Sequence, residues 1–144
     1  MSTQFTFYPI ATDTEPTIRI AEAPVHAGFP CPVDDAYMSQ PIDLNKELIK
    51  HPASSYLVRV EGDSMIDEGV DCGDLLVVDR SLLPTEKNLT IVMYQGEFAL
   101  KRIAQVDGKV YLMAGNSKYK PIEVGEEEEL RIFGVVVWVM KKKA

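Results

Sequence analysis

Short apolar runs, spaced as strands rather than helices, dominate the chain from residue 56 onward. In residues 56–61, every second side chain is a large apolar one, and this alternation is typical of a half-buried strand. Residues 74–79 form a continuous apolar run closed by aspartates, which predicts a strand covered on both faces. Further apolar runs occupy residues 89–94, 97–103, 110–114 and 130–140.

Turn sequences separate these runs. Gln95-Gly96 and Asp107-Gly108 each join two runs and predict tight hairpins. Residues 119–124 are interpreted as a short edge strand, because Pro121 lacks the N–H group that a central strand needs. The run at 130–140 is too long and too apolar to remain uncovered. We therefore expect it to be buried in the sheet or, alternatively, partly buried against a second subunit.

The N-terminal part of the chain lacks this periodicity. Prolines at positions 9, 16, 24, 30, 32 and 41 exclude a long helix or a central strand over residues 1–41, so we interpret this segment as an extended arm. A short helix should follow, with Asp43 as its N-cap and His51-Pro52 as its end, and with an apolar face made by Leu44, Leu48 and Ile49. The predicted architecture is mainly β: a curled antiparallel sheet with one short helix and an extended N-terminal arm.

Composition and charge narrow the function classes. The 144 residues suffice for one domain, and the net charge of −7, from 22 acidic and 15 basic side chains, argues against direct nucleic-acid binding. The basic tail Lys141-Lys142-Lys143 is interpreted as a solvated chain end rather than a nucleic-acid patch. No apolar run approaches the roughly 20 residues that span a bilayer, and no signal peptide is visible. We expect a cytoplasmic protein without membrane contact.

The cysteines and histidines do not form a recognisable site. Cys31, Cys72, His26 and His51 lack the spacing of a disulfide framework or a metal site, so we expect neither a metal nor a cofactor. Both thiols are interpreted as buried or semi-buried packing residues.

Ser64 lies in a Gly-Asp turn between the first apolar run and the turn at Gly69, which makes it a candidate exposed nucleophile. The alternative is a surface turn whose serine only caps the backbone. If the serine is a nucleophile, the backbone N–H groups of Ser64 and Met65 would lie in the same concavity and form an oxyanion hole.

Lys101 is the candidate general base. It alternates with Arg102 along the run 97–103, so one of two adjacent cations must point towards a largely apolar surface. If that residue is Lys101, desolvation lowers its pKa, and a neutral amine can accept the hydroxyl proton of a serine. The alternative is a lysine that extends to the sheet edge. In the arm, the small pair Ala27-Gly28 within extended chain has the form of a protease cleavage site or of a plain linker.

Several motifs, in order along residues 24–140, resemble the LexA/UmuD family of self-cleaving serine peptidases. They are Ala27-Gly28-Phe29-Pro30, Gly62-Asp63-Ser64-Met65, Gly69 with Asp71, Gly73-Asp74-Leu75-Leu76-Val77-Val78-Asp79, Gly96-Glu97-Phe98-Ala99-Leu100-Lys101-Arg102 and Phe133-Gly134-Val135-Val136. The chain is similar to the family members that serve as accessory subunits of an error-prone translesion polymerase.

The resemblance implies a β-clip fold, Ser64 as nucleophile, Lys101 as general base and Ala27–Gly28 as the scissile bond. Residues 1–27 would then be an arm removed by self-cleavage, and residues 28–144 a peptidase and dimerisation domain. The implied partners are a second copy, the catalytic subunit of a Y-family translesion polymerase, and a recombinase filament on single-stranded DNA that stimulates cleavage during the SOS response.

Two other functions remain as alternatives. One is a non-catalytic dimeric adaptor of the same fold. The other is a LexA-like repressor, which is disfavoured because only 26 residues precede Ala27, too few for a helix-turn-helix domain, and because the chain is acidic.

Overall fold

The computed structural model describes residues 4–11, 18–21, 38–61, 69–114 and 120–144. The chain divides into two compact units, one made of residues 1–10 and 51–144 and the other of residues 11–50. No helix in the described ranges is long and apolar enough to cross a membrane.

The larger unit is built on one eight-stranded antiparallel sheet. Its strand order is β1-β4-β5-β10-β6-β7-β8-β9, and a 3-10 turn at Pro52–Ser54 precedes β4. The strands are β1 (Gln4–Pro9), β4 (Ser55–Glu61), β5 (Leu75–Asp79), β6 (Thr90–Tyr94), β7 (Glu97–Val106), β8 (Lys109–Met113), β9 (Ile122–Val124) and β10 (Leu130–Met140).

The sheet is strongly curled. β1 and β7 are five intervals apart in the strand order, which would separate them by about 24 Å in a flat sheet with strands about 4.8 Å apart. The rings of Phe7 on β1 and Phe98 on β7 nevertheless lie with their centroids 4.9 Å apart. The predicted mainly β, curled antiparallel architecture is therefore confirmed.

The core fills the inside of the curl. β4 contributes Val58 and Val60, while Arg59 and Glu61 on the opposite face are exposed, as the period-2 pattern predicts. The other buried side chains of this cluster are Val70, Leu76, Val78, Ile91 and Leu100. β5 is buried over four of its five positions, which confirms a strand covered on both faces.

β10 is a central strand between β5 and β6. Gly134 and Val135 are buried, but Ile132 and Trp138 are each 47% exposed, so burial in the sheet is confirmed only for the middle of the strand. Irregular register occurs on both sides of this middle part. A Cβ atom at Gly134 would lie 2.7 Å from Cγ1 of Val78 and 3.1 Å from the Asp79 carbonyl oxygen. Close packing of β10 on β5 therefore requires glycine here.

Both predicted hairpins are present. Gln95 and Gly96 have φ values of 51° and 79°, and Asp107 and Gly108 have values of 52° and 76°. Positive φ at both central residues is the geometry of a type I′ turn, which matches the right-handed twist of the flanking strands. β9 pairs with β8 at the end of the strand order, as expected for an edge strand, and Pro121 lies just before it.

The N-terminal segment contains no central strand among its described residues, as its prolines predict, but part of it is paired. β1 lies at the edge of the large sheet. In the smaller unit, β2 (Ile18–Ala21) pairs with β3 (Met38–Ile42). The described parts of the arm are therefore paired strands, and its boundary at residue 27 remains a prediction.

The short helix α1 (Leu44–Leu48) follows β3. Its N-cap is Asp43, whose Oδ1 accepts a hydrogen bond from the Asn45 N–H at 2.9 Å, as predicted. The helix ends three residues before His51. Ile49 is buried but Leu44 is 43% exposed, so the predicted apolar face is only partly covered.

Candidate active site

Lys101 lies in the middle of β7 and pairs with Thr90 of β6. Successive cross-strand partners continue this row as Val135, Asp79 and Ser55, so these side chains share one face of the sheet. Apart from the half-buried Lys101, every member of the row is at most 4% exposed. The lysine therefore projects from a face that is largely closed to water.

Burial lowers the pKa of Lys101 below the ordinary lysine value of 10.5, because desolvation penalises the ammonium form. No hydrogen bond or ion pair of its side chain is found with the rest of the described chain. The neighbouring cation, Arg102, donates a hydrogen bond from Nη1 to the carbonyl oxygen of Lys87. The lowered pKa of Lys101 agrees with the expectation for a lysine that faces a largely apolar surface.

The segment that carries Ser64 begins where β4 ends at Glu61. Ser64 and Met65 lie outside the described residues, as do Ala27 and Gly28. The base of the segment is described: the Gly73 N–H donates to the Val60 carbonyl oxygen at 2.7 Å, and the Val60 N–H donates to the Asp74 carbonyl oxygen at 3.0 Å. The two ends of this segment, at Val60 and Gly73, therefore lie side by side.

Lys141 contacts two aspartates at the described end of this segment. Its Nζ lies 2.8 Å from Oδ2 of Asp71 and also contacts Oδ2 of the buried Asp74, which accepts the Asp71 N–H at 2.7 Å. Hydrogen bonds with Asp71 and then Asp74 raise the pKa of Lys141. Lys141 is exposed, as predicted for a solvated chain end, but it is also ion-paired with partners about 70 residues away in sequence. Lys142 and Lys143 are exposed.

Asp79 is a buried charge that the sequence analysis did not identify as a site. Its carboxylate lies 2.6 Å from Nδ1 of His51 and accepts hydrogen bonds from Ser81 Oγ and the Ser81 N–H at 2.6 and 2.8 Å. Ser54 Oγ donates to it at 3.3 Å. Burial by itself would raise the pKa of Asp79, but the hydrogen bonds from Ser81 and His51 outweigh it and the pKa is lowered. The only sequence signal was an aspartate closing an apolar run.

His51 and Asp79 resemble the base and the orienting acid of a catalytic triad. In the described chain, however, the hydroxyl groups of Ser54 and Ser81 donate to Asp79, and no serine bonds to the His51 ring. The arrangement therefore offers no activated nucleophile among these residues. These residues supply hydrogen-bond partners to the buried carboxylate of Asp79.

Cys72 lies in the described part of the chain. Cys72 is exposed and free, so the prediction of a packed thiol is wrong for this residue, while Cys31 and His26 lie outside the described residues. No group of three or more His, Cys, Asp or Glu side chains in the described ranges is arranged to hold a metal ion.

Comparison with known proteins gives the family. Residues 20–137 match the model of the Peptidase S24-like family. Protein SamA of Salmonella typhimurium is 40% identical over 116 residues, which cover 81% of this chain and 79% of that protein. Protein ImpA of Escherichia coli is 37% identical over 122 residues, covering 81% and 78%. LexA repressor 1 of Pseudomonas putida is 34% identical over 119 residues, covering 82% of this chain and 58% of that protein. The chain belongs to the S24-like peptidases, the LexA/UmuD family whose motifs it carries.

Proposed function

We propose that the protein is a self-cleaving serine endopeptidase with a Ser-Lys dyad. In this proposal Ser64 is the nucleophile, Lys101 is the general base, and the bond between Ala27 and Gly28 is cut in the protein's own chain. The shortened form, residues 28–144, acts as a homodimeric accessory subunit of an error-prone translesion polymerase in the SOS response. A recombinase filament on single-stranded DNA stimulates the cleavage in the cytoplasm.

The lowered pKa of Lys101 is the observation that carries the catalytic part of the proposal. A lysine with its ordinary pKa is almost entirely protonated at neutral pH and cannot accept a proton. Burial on β7 increases the neutral fraction, with no carboxylate or histidine partner of Lys101 in the described part of the chain. Membership of a peptidase family supports the assignment of this lysine to catalysis.

The chemistry follows from these roles. The neutral amine of Lys101 accepts the proton of Ser64 Oγ, which attacks the Ala27 carbonyl carbon, and the Ser64 and Met65 N–H groups stabilise the oxyanion. The tetrahedral intermediate collapses with cleavage of the C–N bond, and the lysine returns the proton to the departing Gly28 nitrogen. Water then hydrolyses the ester on Ser64, releasing the Ala27 carboxylate and restoring the hydroxyl group.

The test is incubation of the purified chain across a range of pH, with the product identified by mass spectrometry. A fragment that starts at Gly28 should accumulate, at a rate that rises with pH and reaches a plateau below the pH at which an ordinary lysine titrates. Ser64→Ala should abolish cleavage. Lys101→Ala should lower the rate by about 100-fold or more, the range of general-base catalysis.

Lys109→Ala is the matched control, because Lys109 lies on the adjacent strand β8 with its side chain 61% exposed. It should leave the rate unchanged. Cleavage that persists in Ser64→Ala refutes the mechanism. A wild-type chain that is never cut, even with a recombinase filament present, but still binds the polymerase would support the non-catalytic adaptor.

A further inference from the structure

β1 forms one edge of the large sheet and pairs with β4 over six residues. Phe5 lies opposite Val60, and Phe7 lies opposite Val58, so both phenylalanines face the core. The alternate residues Thr6 and Tyr8 face outward and are exposed. The strand is thus amphipathic, with its apolar side held against the sheet.

Phe7 inserts into a group of aromatic rings that we call the aromatic socket, made of Tyr56, Phe98 and Phe133. Its ring centroid lies 4.8 Å from that of Phe133 and 4.9 Å from that of Phe98. Phe133 in turn lies 5.8 Å from both Tyr56 and Phe98. Ring pairs at these separations add to the free energy of apolar burial.

Removal of β1 would uncover two complementary features at once. The edge of β4 would present unpaired N–H and C=O groups, which readily accept another strand. The aromatic socket beside it would lose the ring that fills it. Even with β1 in place, Phe98 is 38% exposed and Arg80 lies on Phe133 with its guanidinium carbon 4.5 Å from the ring centroid.

We propose that the β4 edge and the aromatic socket form a docking site for an extended peptide segment, and that β1 is its intramolecular occupant. The partner is a protein segment that adds as a strand and carries aromatic side chains two residues apart, as Phe5 and Phe7 are. Main-chain hydrogen bonds would give affinity and the socket would give specificity. β1 carries no charged side chain, so a neutral segment fits best.

The covalent connection between β1 and the rest of the chain determines whether β1 or a free peptide occupies the docking site. A tethered strand competes at an effective concentration on the order of millimolar, which a free peptide at micromolar concentration cannot match. Cleavage after Ala27 would place β1 in the released fragment and remove this advantage. In the cell, opening of the site therefore rests on the proposed function.

The test avoids that dependence by using the full chain with Ser64→Ala, which the proposed mechanism cannot cleave. In this background, Phe7→Asp should release β1, because a carboxylate cannot occupy the aromatic socket unpaired. The probe is a fluorescent peptide of residues 2–11, and its binding is measured by anisotropy. Tyr8→Asp is the matched control, since Tyr8 lies on the same strand with an outward side chain that is 42% exposed.

The Phe7→Asp chain should bind the peptide at least tenfold more tightly than either the Ser64→Ala parent or the Tyr8→Asp control. A peptide with serine in place of both phenylalanines should not bind. Hydrogen exchange should show faster exchange of the β4 amides in Phe7→Asp alone. If Phe7→Asp fails to fold, as judged by circular dichroism, Phe7→Ala replaces it with the same expectations.

Two results would overturn the proposal. One is a folded variant in which the β4 amides exchange rapidly and the peptide still does not bind. The other is a concentration-dependent dimer of the parent chain that dissociates in Phe7→Asp without any gain in peptide binding, which would make the occupant β1 of a second copy.

Discussion

Lys101 and Asp79 lie in the same cross-strand row, yet their surroundings have opposite effects on the stability of the charged form. Asp79 accepts hydrogen bonds from two serines and contacts His51, so its charged form is stabilised although it is only 3% exposed. Lys101 is half-buried and its ammonium group is destabilised by desolvation. An unfavourably placed lysine is typical of functional sites, where a shifted pKa serves chemistry rather than stability.

Replacement of Lys101 by methionine should therefore stabilise the protein at neutral pH. The lowered pKa means that the folded state binds fewer protons than the unfolded state between the folded pKa and 10.5. The penalty is fully present below the folded pKa and disappears as pH rises through 10.5. Urea unfolding at pH 7 and pH 10 should show a gain for Lys101→Met that shrinks at the higher pH. Lys109→Met, at an exposed position, should show neither effect.

Replacement of Asp79 by asparagine should destabilise the fold by about 1.5–3 kcal/mol at pH 7, the range for hydrogen bonds to a charged group. Because the pKa of Asp79 is lowered, its stabilising contribution is present above the ordinary value of 3.8 and is lost as pH falls through the folded pKa. Urea midpoints measured from pH 7 to pH 2.5 should converge for wild type and Asp79→Asn. A constant difference across this range would contradict the account. Asp107→Asn, in an exposed hairpin turn, is the control.

At the scale of the element, β10 combines a tightly packed middle with exposed apolar ends. Its close approach to β5 at Gly134 explains the glycine of the Phe133-Gly134-Val135-Val136 motif, since backbone atoms of Asp79 occupy the space of a side chain. The exposed Trp138 and Ile132 flank this contact. The alternative of partial burial against a second subunit therefore remains a prediction for these ends alone.

Gly134→Ala should lower the free energy of unfolding by about 1–3 kcal/mol, because a new methyl group is forced against a packed strand. Gly125→Ala is the comparison variant: its Cβ would meet only the side chain of Glu128, which can shift at the expense of its hydrogen bonds to the Gly125 N–H and Gln95. It should destabilise the protein less than Gly134→Ala, because no backbone of a packed strand has to move. Equal unfolding midpoints in urea for the two variants would show that the Gly134 contact is relieved without cost.

At the scale of the whole molecule, the net charge bears on the choice between the proposed polymerase-accessory function and a DNA-binding repressor. A net charge of −7 opposes the counterion release that supports non-specific DNA binding. One lysine of the basic tail is also engaged by Asp71 and Asp74 rather than available to phosphates. The proposed polymerase-accessory function would therefore use protein contacts rather than direct sequence readout.

The intact chain should show no sequence-dependent binding to duplex DNA in fluorescence anisotropy at about 150 mM salt, with any residual affinity weaker than about 10 micromolar. A salt titration checks the origin of any signal, since phosphate contacts weaken steeply with salt. Submicromolar binding that depends on sequence would instead favour the repressor.

The sequence by itself determined the parts of the molecule that depend on local order. The alternation in β4, the apolar run of β5 and the two glycine hairpins specify strands and turns through side-chain period and backbone φ, so they could be predicted. The adjacent pair Lys101-Arg102 indicated that one cation must lie against apolar surface. The roles of Ser64, Met65, Ala27 and Gly28 stay predictions, because those residues lie outside the described chain.

Only the tertiary structure decided which distant residues meet. Curling of the sheet brings Phe7 to Phe98, folding joins His51 to Asp79, and Lys141 reaches Asp74 across 67 positions. None of these pairs has a local signal, because cross-strand and cross-sheet neighbours are set by strand order and register rather than by spacing in sequence. The same physics lowers the pKa of Lys101, since the fold places it in a row with the buried Thr90, Val135 and Asp79.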